Sequence, residues 1–127
     1  MFEINPLSRT PVYAQIIEQV ERFVLTGVFQ PLDQVPSVRS LAVESGVNPN
    51  TIQKAYMQME RDKILQSAPG KGRFVTLEAA SIISGRRREQ LDGLKEQMQI
   101  LAVAGIRREE IDACLDEVYG KAEGNKR

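Results

Sequence analysis

The chain opens with an amphipathic pattern that runs from Thr10 to about Thr26. Thr10 followed by Pro11 is typical of a helix start, and Gly27 is placed to end the helix. The apolar residues of this stretch recur at three- and four-residue steps and therefore share one face: Tyr13, Ile16, Ile17, Val20, Phe23 and Val24. The pattern predicts a helix that packs one side against a core.

Two further helices are predicted close together. Ser37 is a candidate N-cap for a short helix that ends at Gly46, and Asn48 before Pro49 is a candidate cap for a helix that runs to about Asp62. The predicted inward residues are Val38, Leu41 and Ala42 in the first helix, and Ile52, Ala55, Tyr56 and Met59 in the second. The pattern is that of a helix, a tight turn and a helix.

Residues 64–67 and 73–76 are β-prone and flank a loop, residues 68–72, that contains Pro69, Gly70, Lys71 and Gly72. They predict a hairpin with a basic tip. After Leu77 the helical spacing returns in two segments separated by Gly105. Their apolar stripes contain Leu91, Leu94, Met98, Leu101 and Ala102, then Ile111, Cys114, Leu115, Val118 and Tyr119.

The expected fold is mainly α with a small β-hairpin, an α+β arrangement that ends in a helical hairpin. We expect a first domain over residues 1–76, a C-terminal helical region over residues 77–120 and a frayed end over residues 121–127. Cys114 lies within an apolar stripe, which favours buried packing over redox sensing.

Composition narrows the possible functions. The 127 residues include 17 basic and 17 acidic side chains, one Cys and no His, which argues against a zinc site, a catalytic triad and an enzyme in general. No cofactor or metal is expected. No signal peptide is recognisable, and no apolar run reaches the roughly 18 residues that span a bilayer, so a cytoplasmic protein without a membrane partner is expected. The zero net charge gives no general support for nucleic-acid binding.

Local sequence does support nucleic-acid binding. The helix that begins at Asn48 carries Asn50, Thr51, Gln53, Lys54 and Met57 outside its apolar stripe, and residues 46–58 contain no acid. Short amide, hydroxyl and basic side chains match the donors and acceptors of base edges in the major groove. The same residues also suit an ordinary solvated helix face, but their position between a tight Gly turn and a basic hairpin favours DNA.

The stretch from Pro36 to Val75 resembles the winged helix-turn-helix of the GntR family of bacterial transcription regulators. The matching motifs are Pro36-Ser37-Val38-Arg39, Leu41-Ala42, Gly46-Val47, Thr51-Ile52, Ala55-Tyr56 and Gly70-Lys71-Gly72-Arg73-Phe74-Val75. With Pro11-Val12-Tyr13 included, the resemblance covers about residues 9–76. Asn48-Pro49-Asn50-Thr51 and the short tail are most similar to the YtrA-type branch, whose members lack a large effector domain.

The resemblance implies a set of DNA contacts. Those at the two helix starts are Ser37, Arg39, Asn48, Asn50, Thr51, Gln53 and Lys54; those on the hairpin, called the wing (residues 64–76), are Gly70, Lys71, Gly72 and Arg73. Better-known members have Arg at the positions of Pro49 and, often, of Gln53, so the operator sequence cannot be transferred. Leu32 and Lys63 stand where the family commonly has Gly.

Several charged groups allow a second interpretation. Arg39 could pair with Glu44, and Lys71 and Arg73 could be plain solubility charges, although their positions favour DNA contact. For the basic run Arg86-Arg87-Arg88, a solvated helix face with pairs such as Arg88 to Asp92 is preferred over contact with flanking phosphate.

Together these patterns predict a homodimeric, sequence-specific repressor that binds an inverted repeat in double-stranded DNA. The expected dimer contacts are Leu91, Leu94, Met98, Leu101, Ile111, Leu115, Val118 and Tyr119. The alternative is a winged-helix module that binds a protein instead of DNA. The presence and identity of a small-molecule effector stay open, as does the choice between repression and activation.

Overall fold

The computed structural model describes residues 1–120, which form five helices and one two-stranded sheet. The elements are α1 (Val12–Leu25), α2 (Val38–Ser45), α3 (Pro49–Arg61), β1 (Leu65–Ala68), β2 (Gly72–Val75), α4 (Ala79–Val103) and α5 (Arg108–Tyr119). This order confirms the predicted fold class of a mainly helical chain with one small hairpin. The end predicted to fray, residues 121–127, lies outside the described residues.

The chain divides into two compact units, the first from Met1 to Arg87 and the second from Arg88 onward. The core of the first unit includes two side chains from the start of α4, Ala79 and Ile83, which are buried. The predicted division after residue 76 concerns independent folding and stays a prediction.

Helix α1 begins one residue later than its sequence suggests. Pro11 occupies the N-cap position, and no side chain caps the helix, so the prediction that Thr10 caps it is wrong. The carbonyl of Thr10 instead accepts a hydrogen bond from the side-chain amide of Gln15 at 2.9 Å. The predicted apolar face is confirmed, with Ile16 and Val20 fully buried.

The caps predicted for α2 and α3 are confirmed. The Ser37 hydroxyl accepts from the Ser40 N–H at 3.0 Å, and Gly46 ends α2 with φ of 73°. The Asn48 side chain caps α3 by accepting from the Asn50 N–H at 2.8 Å. These caps place the two helices in a fixed helix-turn-helix, whose inner residues are buried: Leu41, Ile52, Ala55, Tyr56 and Met59.

The hairpin is antiparallel, with Leu65 opposite Val75 and Ala68 opposite Gly72. Each strand is displaced by one residue from its predicted bounds toward the loop. Before the helix-turn-helix and before the hairpin, the backbone of Leu32 and of Lys63 adopts positive φ values of 71° and 67°. Both residues occupy positions where the resemblance suggested glycine, which explains that preference because glycine adopts this conformation without steric cost.

Candidate nucleic-acid interface

Helix α3 presents a polar face because its opposite face is held in the core. Asn50, Lys54 and Met57 are exposed, and Thr51 and Gln53 are half-buried. The four residues at the other side of the helix are wholly inaccessible: Ile52, Ala55, Tyr56 and Met59. Helix periodicity therefore fixes which side chains can reach a ligand.

Lys54 is held beside the first helix. Its Nζ lies 4.0 Å from the centroid of the Tyr13 ring, a cation–π arrangement that restrains a long side chain. Lys54 as a whole is exposed on the polar face of α3. Lys54 can thus offer a charge to a phosphate from a restrained position.

The start of α2 contributes a second group of side chains. Ser37 is used as the cap, and Arg39 is exposed two residues later. The alternative pairing of Arg39 with Glu44 does not form within residues 1–120, where Glu44 instead lies 3.4 Å from the amino group of Met1. A cation near a helix N-terminus interacts unfavourably with the helix dipole. Arg39 therefore does not stabilise α2 at this position, which favours a role in binding.

Tyr56 connects α3 to the segment that leads into α2. Its hydroxyl donates to the carbonyl oxygen of Pro36 at 2.8 Å. Burial raises the pKa of Tyr56 to about 12, against the opposing effect of the Arg73 charge. The phenol is therefore a neutral donor at physiological pH, and it fixes the spacing between the two helix starts.

The wing tip combines glycine backbone with one exposed cation. Gly70 and Gly72 have positive φ values of 75° and 115°, and Lys71 between them is exposed. Glycines leave the backbone of the loop uncovered, so a nucleic acid can approach it closely.

Arg73 forms an ion pair with Glu60 that the sequence analysis did not predict. Its Nε donates to Glu60 Oε1 at 2.8 Å, and only 19% of its side chain is exposed. The guanidinium also lies 5.4 Å from the centroid of the Tyr56 ring. Arg73 thus ties the wing to α3, and its predicted contact with DNA stays a prediction.

Glu60 is the acceptor in this tie. Burial alone would raise the pKa of its carboxyl group, but hydrogen bonds from Ser67 and Arg73 and the Arg73 charge outweigh burial and lower the pKa. The carboxylate is therefore ionised and joins both strands of the wing to α3.

The basic run at residues 86–88 forms ion pairs that neither interpretation of the sequence predicted. Arg86 donates to Glu21 Oε2 at 2.6 Å, and Arg87 donates to Glu21 Oε1 at 2.5 Å. Arg86 also lies 3.5 Å from a carboxylate oxygen of Asp62. Arg86 and Arg87 are exposed, as the solvated-face interpretation predicted, but they pair with Glu21 of α1, which is 5% exposed, instead of with acids on their own helix.

Sequence reasoning missed Gln34, Glu60 and Glu21. Glu60 and Glu21 carried a usable signal, because each acid lies one turn of helix from buried apolar residues and must find a cation there. Gln34 carried no such signal. Its side-chain amide reaches the carbonyl oxygen of Lys71 at 2.8 Å, across 37 residues of sequence.

In the second unit the apolar side chains of α4 and α5 are largely uncovered. Met98, Ala102, Ile106, Ile111 and Leu115 line a groove of about 340 Å³. The other predicted dimer residues are also exposed: Leu91, Leu94, Leu101, Val118 and Tyr119. Cys114 is exposed as well, so its predicted burial is wrong for a single chain.

Other site classes receive no support from the described residues. Within residues 1–120, no three His, Cys, Asp or Glu side chains are grouped so that they could hold a metal ion. No helix of that part of the chain combines the length and the apolar composition that a bilayer span requires.

Comparison with known proteins identifies the relatives of this arrangement. Residues 12–75 match the family described as bacterial regulatory proteins, gntR family. The HTH-type transcriptional repressor YtrA of Bacillus subtilis is 34% identical over all of this chain and 98% of its own length.

Solved structures of bacterial regulators also resemble this chain. A transcriptional regulator from Oenococcus oeni superposes with a TM-score of 0.70 at 31% identity, over 93% of this chain and 98% of that one. The DNA-binding domain of AraR, in complex with operator ORE1, superposes with a TM-score of 0.52 at 28% identity, over 60% of this chain and 93% of that one. The chain therefore belongs to the GntR family of bacterial regulatory proteins.

Proposed function

We propose that the protein is a transcriptional repressor that binds a specific operator in double-stranded DNA. The observation that carries the proposal is the polar outer face of α3, which has no acid before Glu60 and is held outward by a fully buried inner face. The relative YtrA, which matches this chain over 98% of its own length, is named a transcriptional repressor. The AraR domain is bound to operator DNA. The proposal implies a cytoplasmic protein, because a bacterial operator lies on the chromosome.

Base recognition is assigned to α3. Asn50, Thr51, Gln53 and Lys54 belong to its first two turns, and their amide, hydroxyl and ammonium groups suit base edges in the major groove. Asn48 contributes by accepting a hydrogen bond from the Asn50 N–H, which fixes where α3 begins, and the amide group of its exposed side chain can donate to a phosphate.

Backbone positioning is assigned to α2 and to the wing. Ser37 and Arg39 at the start of α2 would contact one phosphate group, and Lys71 between Gly70 and Gly72 would contact another or enter the minor groove. Arg73 is placed in this group as a supporting residue because its Nε is engaged by Glu60. Phosphate contacts fix the register on the duplex but carry no sequence information.

The active species is a homodimer that pairs through the second unit. Leu91, Leu94, Met98 and Leu101 follow a three–four–three spacing, which puts them on one face of α4 and matches the a and d positions of a coiled coil. Leu91 and Leu94 are each 52% exposed in the single chain. The groove lined by Ile111 and Leu115 adds apolar area, and Val118 and Tyr119 are exposed further along α5. A second copy would remove this surface from water.

A symmetric dimer reads two half-sites in opposite orientation, so the operator is an inverted repeat. Each α3 makes few base contacts, and two copies on one duplex supply the affinity that one copy lacks. Binding over a promoter would exclude RNA polymerase, which is the physical basis of repression.

The proposal is tested by selecting bound fragments from genomic DNA with the full chain, followed by footprinting and titration of the selected duplex. Gln53→Ala should alter base preference, whereas Lys71→Ala should weaken all sequences and reduce the salt slope by about one. Arg22→Ala, which removes an exposed cation of α1, is the control and should change neither quantity.

Charge reversal of Arg39 should abolish operator binding while the oligomeric state is retained. A lack of salt-dependent duplex binding by the unmodified protein would overturn the proposal. Tight association of the α3 face with a protein would then favour the interaction-module alternative.

A further inference from the structure

Residues 32–35, which precede α2, pair with β2 of the wing through backbone hydrogen bonds. The Leu32 N–H donates to the Val75 carbonyl at 2.8 Å, and the Val75 N–H donates to the Asp33 carbonyl at 2.9 Å. The Val35 N–H then donates to the Arg73 carbonyl at 3.0 Å. Since a two-stranded hairpin is only marginally stable in water, this third segment stabilises β2.

Gln34 lies within that segment, opposite Phe74 in the sheet. Its Nε2 donates to the carbonyl oxygen of Lys71 at 2.8 Å, and the N–H of Lys71 donates to the carbonyl of Ala68 at 2.9 Å. Both backbone groups of Lys71, its N–H and its carbonyl, are therefore hydrogen-bonded.

Gly72 makes room for this contact. A Cβ atom at this position would lie 2.5 Å from Gln34 Nε2, which is closer than real contacts allow, and the φ of 115° also disfavours any other residue. The positive φ favours glycine at this position, and an added Cβ would push the end of the Gln34 side chain away from the Lys71 carbonyl.

We propose that Gln34 is a positioning residue of the DNA interface, which fixes the wing tip and so the direction of Lys71 before DNA is bound. The inference rests on the proposed function, because it concerns how the wing meets DNA. A loop of glycine and lysine that is free in solution must be ordered on binding, and this ordering weakens affinity. The Gln34 hydrogen bond removes part of that ordering cost in advance.

A direct contact between Gln34 and DNA is the competing explanation. Gln34 borders a cleft of about 300 Å³ that is also lined by Ser37 and Gln53, both assigned to the interface. In that case the side chain would act independently of Lys71. The two explanations differ in whether the losses caused by substitutions at positions 34 and 71 add.

The test uses the full chain and the operator duplex selected above. Gln34→Met keeps the length of the side chain and removes the donor, and Gln66→Met changes an exposed glutamine of the same hairpin as the matched control. We expect Gln34→Met to raise the operator Kd about threefold to tenfold, the loss typical of one hydrogen bond, and Gln66→Met to leave it unchanged. An equal unfolding midpoint for both variants would establish that they fold.

Two further measurements separate the explanations. In the DNA-free protein, Gln34→Met should increase the hydrogen-exchange rate of the Lys71 amide. In a Lys71→Ala background, Gln34→Met should change the Kd by less than about twofold, because its effect passes through Lys71. Additive losses, or an unchanged exchange rate in a protein that binds its operator, would overturn the role of Gln34. A failure of the unmodified protein to bind any duplex would overturn the proposed function, and this inference with it.

Discussion

Arg73 Nε donates to Glu60 Oε1 at 2.8 Å and thereby joins the second wing strand to the last turn of α3. Ser67 on the first strand donates its hydroxyl to the other oxygen of the same carboxylate. One side chain of α3 therefore holds both strands of the wing. This carboxylate therefore couples the wing to the last turn of α3.

This arrangement predicts a pH-dependent stability. Because the folded-state pKa of Glu60 is lowered, its contribution is fully present above the unfolded-state pKa, about 4.3 for Glu, and is lost as the pH falls through the folded-state value. Glu60→Gln should lower the free energy of unfolding by about 1 kcal/mol at pH 7. The difference should shrink below about pH 4, as measured by urea denaturation at several pH values.

Glu18→Gln is the control for that measurement, since Glu18 is an exposed carboxylate in the middle of α1. It should leave the unfolding free energy nearly unchanged at every pH. A Glu60→Gln deficit that stays constant from pH 7 to pH 3 would contradict the assignment of the effect to ionisation.

The cluster of Glu21, Arg86 and Arg87 predicts an asymmetric response to substitution. The carboxylate is buried, whereas the arginine side chains are 44% and 47% exposed and can be hydrated if left alone. Replacing both arginines by alanine should cost about 3 kcal/mol, because a buried charge is left unpaired. Glu21→Gln should cost only about 1 kcal/mol. Equal losses in denaturant titrations would show that burial of the carboxylate does not control the cluster.

The positive φ of Lys63 predicts that glycine at this position stabilises the protein. Its φ of 67° strains any residue that has a Cβ atom, typically by 1–2 kcal/mol, and glycine removes this strain at some cost in unfolded-state entropy. Lys63→Gly should therefore raise the free energy of unfolding by up to about 1 kcal/mol. Lys63→Ala removes the same charge but keeps the strain, and it should give no such gain in thermal unfolding.

The burial of Ile83 predicts where the first unit can be cut. A fragment of residues 1–87 keeps Ala79, Ile83 and the partners of Glu21, whereas a fragment of residues 1–76 loses all of them. We expect the longer fragment to unfold cooperatively and the shorter one to be less stable by at least about 3 kcal/mol. Circular dichroism melts of the two fragments would measure this. Equal stability would support the domain boundary predicted at residue 76.

The exposed seam of α4 predicts a variant with altered association. Leu101→Glu would place a charge within the apolar surface proposed to pair with a second chain, and it should weaken dimerisation at least about tenfold. Ile100 is also exposed but lies off the seam, so Ile100→Glu should not change the association state. Sedimentation equilibrium of both variants would compare them, and a monomeric unmodified protein would contradict the proposal.

The fold and the exposed, polar side of α3 could be predicted from sequence because both depend on local rules. Side-chain spacing placed Ile52 and Tyr56 inside, and the caps Ser37 and Asn48 fixed where the helices start. The tertiary contacts could not be predicted in the same way. Arg73 was assigned to DNA because no local pattern links it to Glu60, thirteen residues earlier in sequence. Pairs separated by many residues become visible only when the chain is folded.

The pairing of Glu21 with two arginines from a distant helix has a consequence for how the sequence can drift. Loss of both arginines leaves the buried Glu21 carboxylate unpaired. Replacement of Glu21 by an apolar residue leaves Arg86 and Arg87 without their common partner. An evolutionary path through these three sites is therefore expected to require coordinated replacements, with the acid neutralised before the arginines are lost.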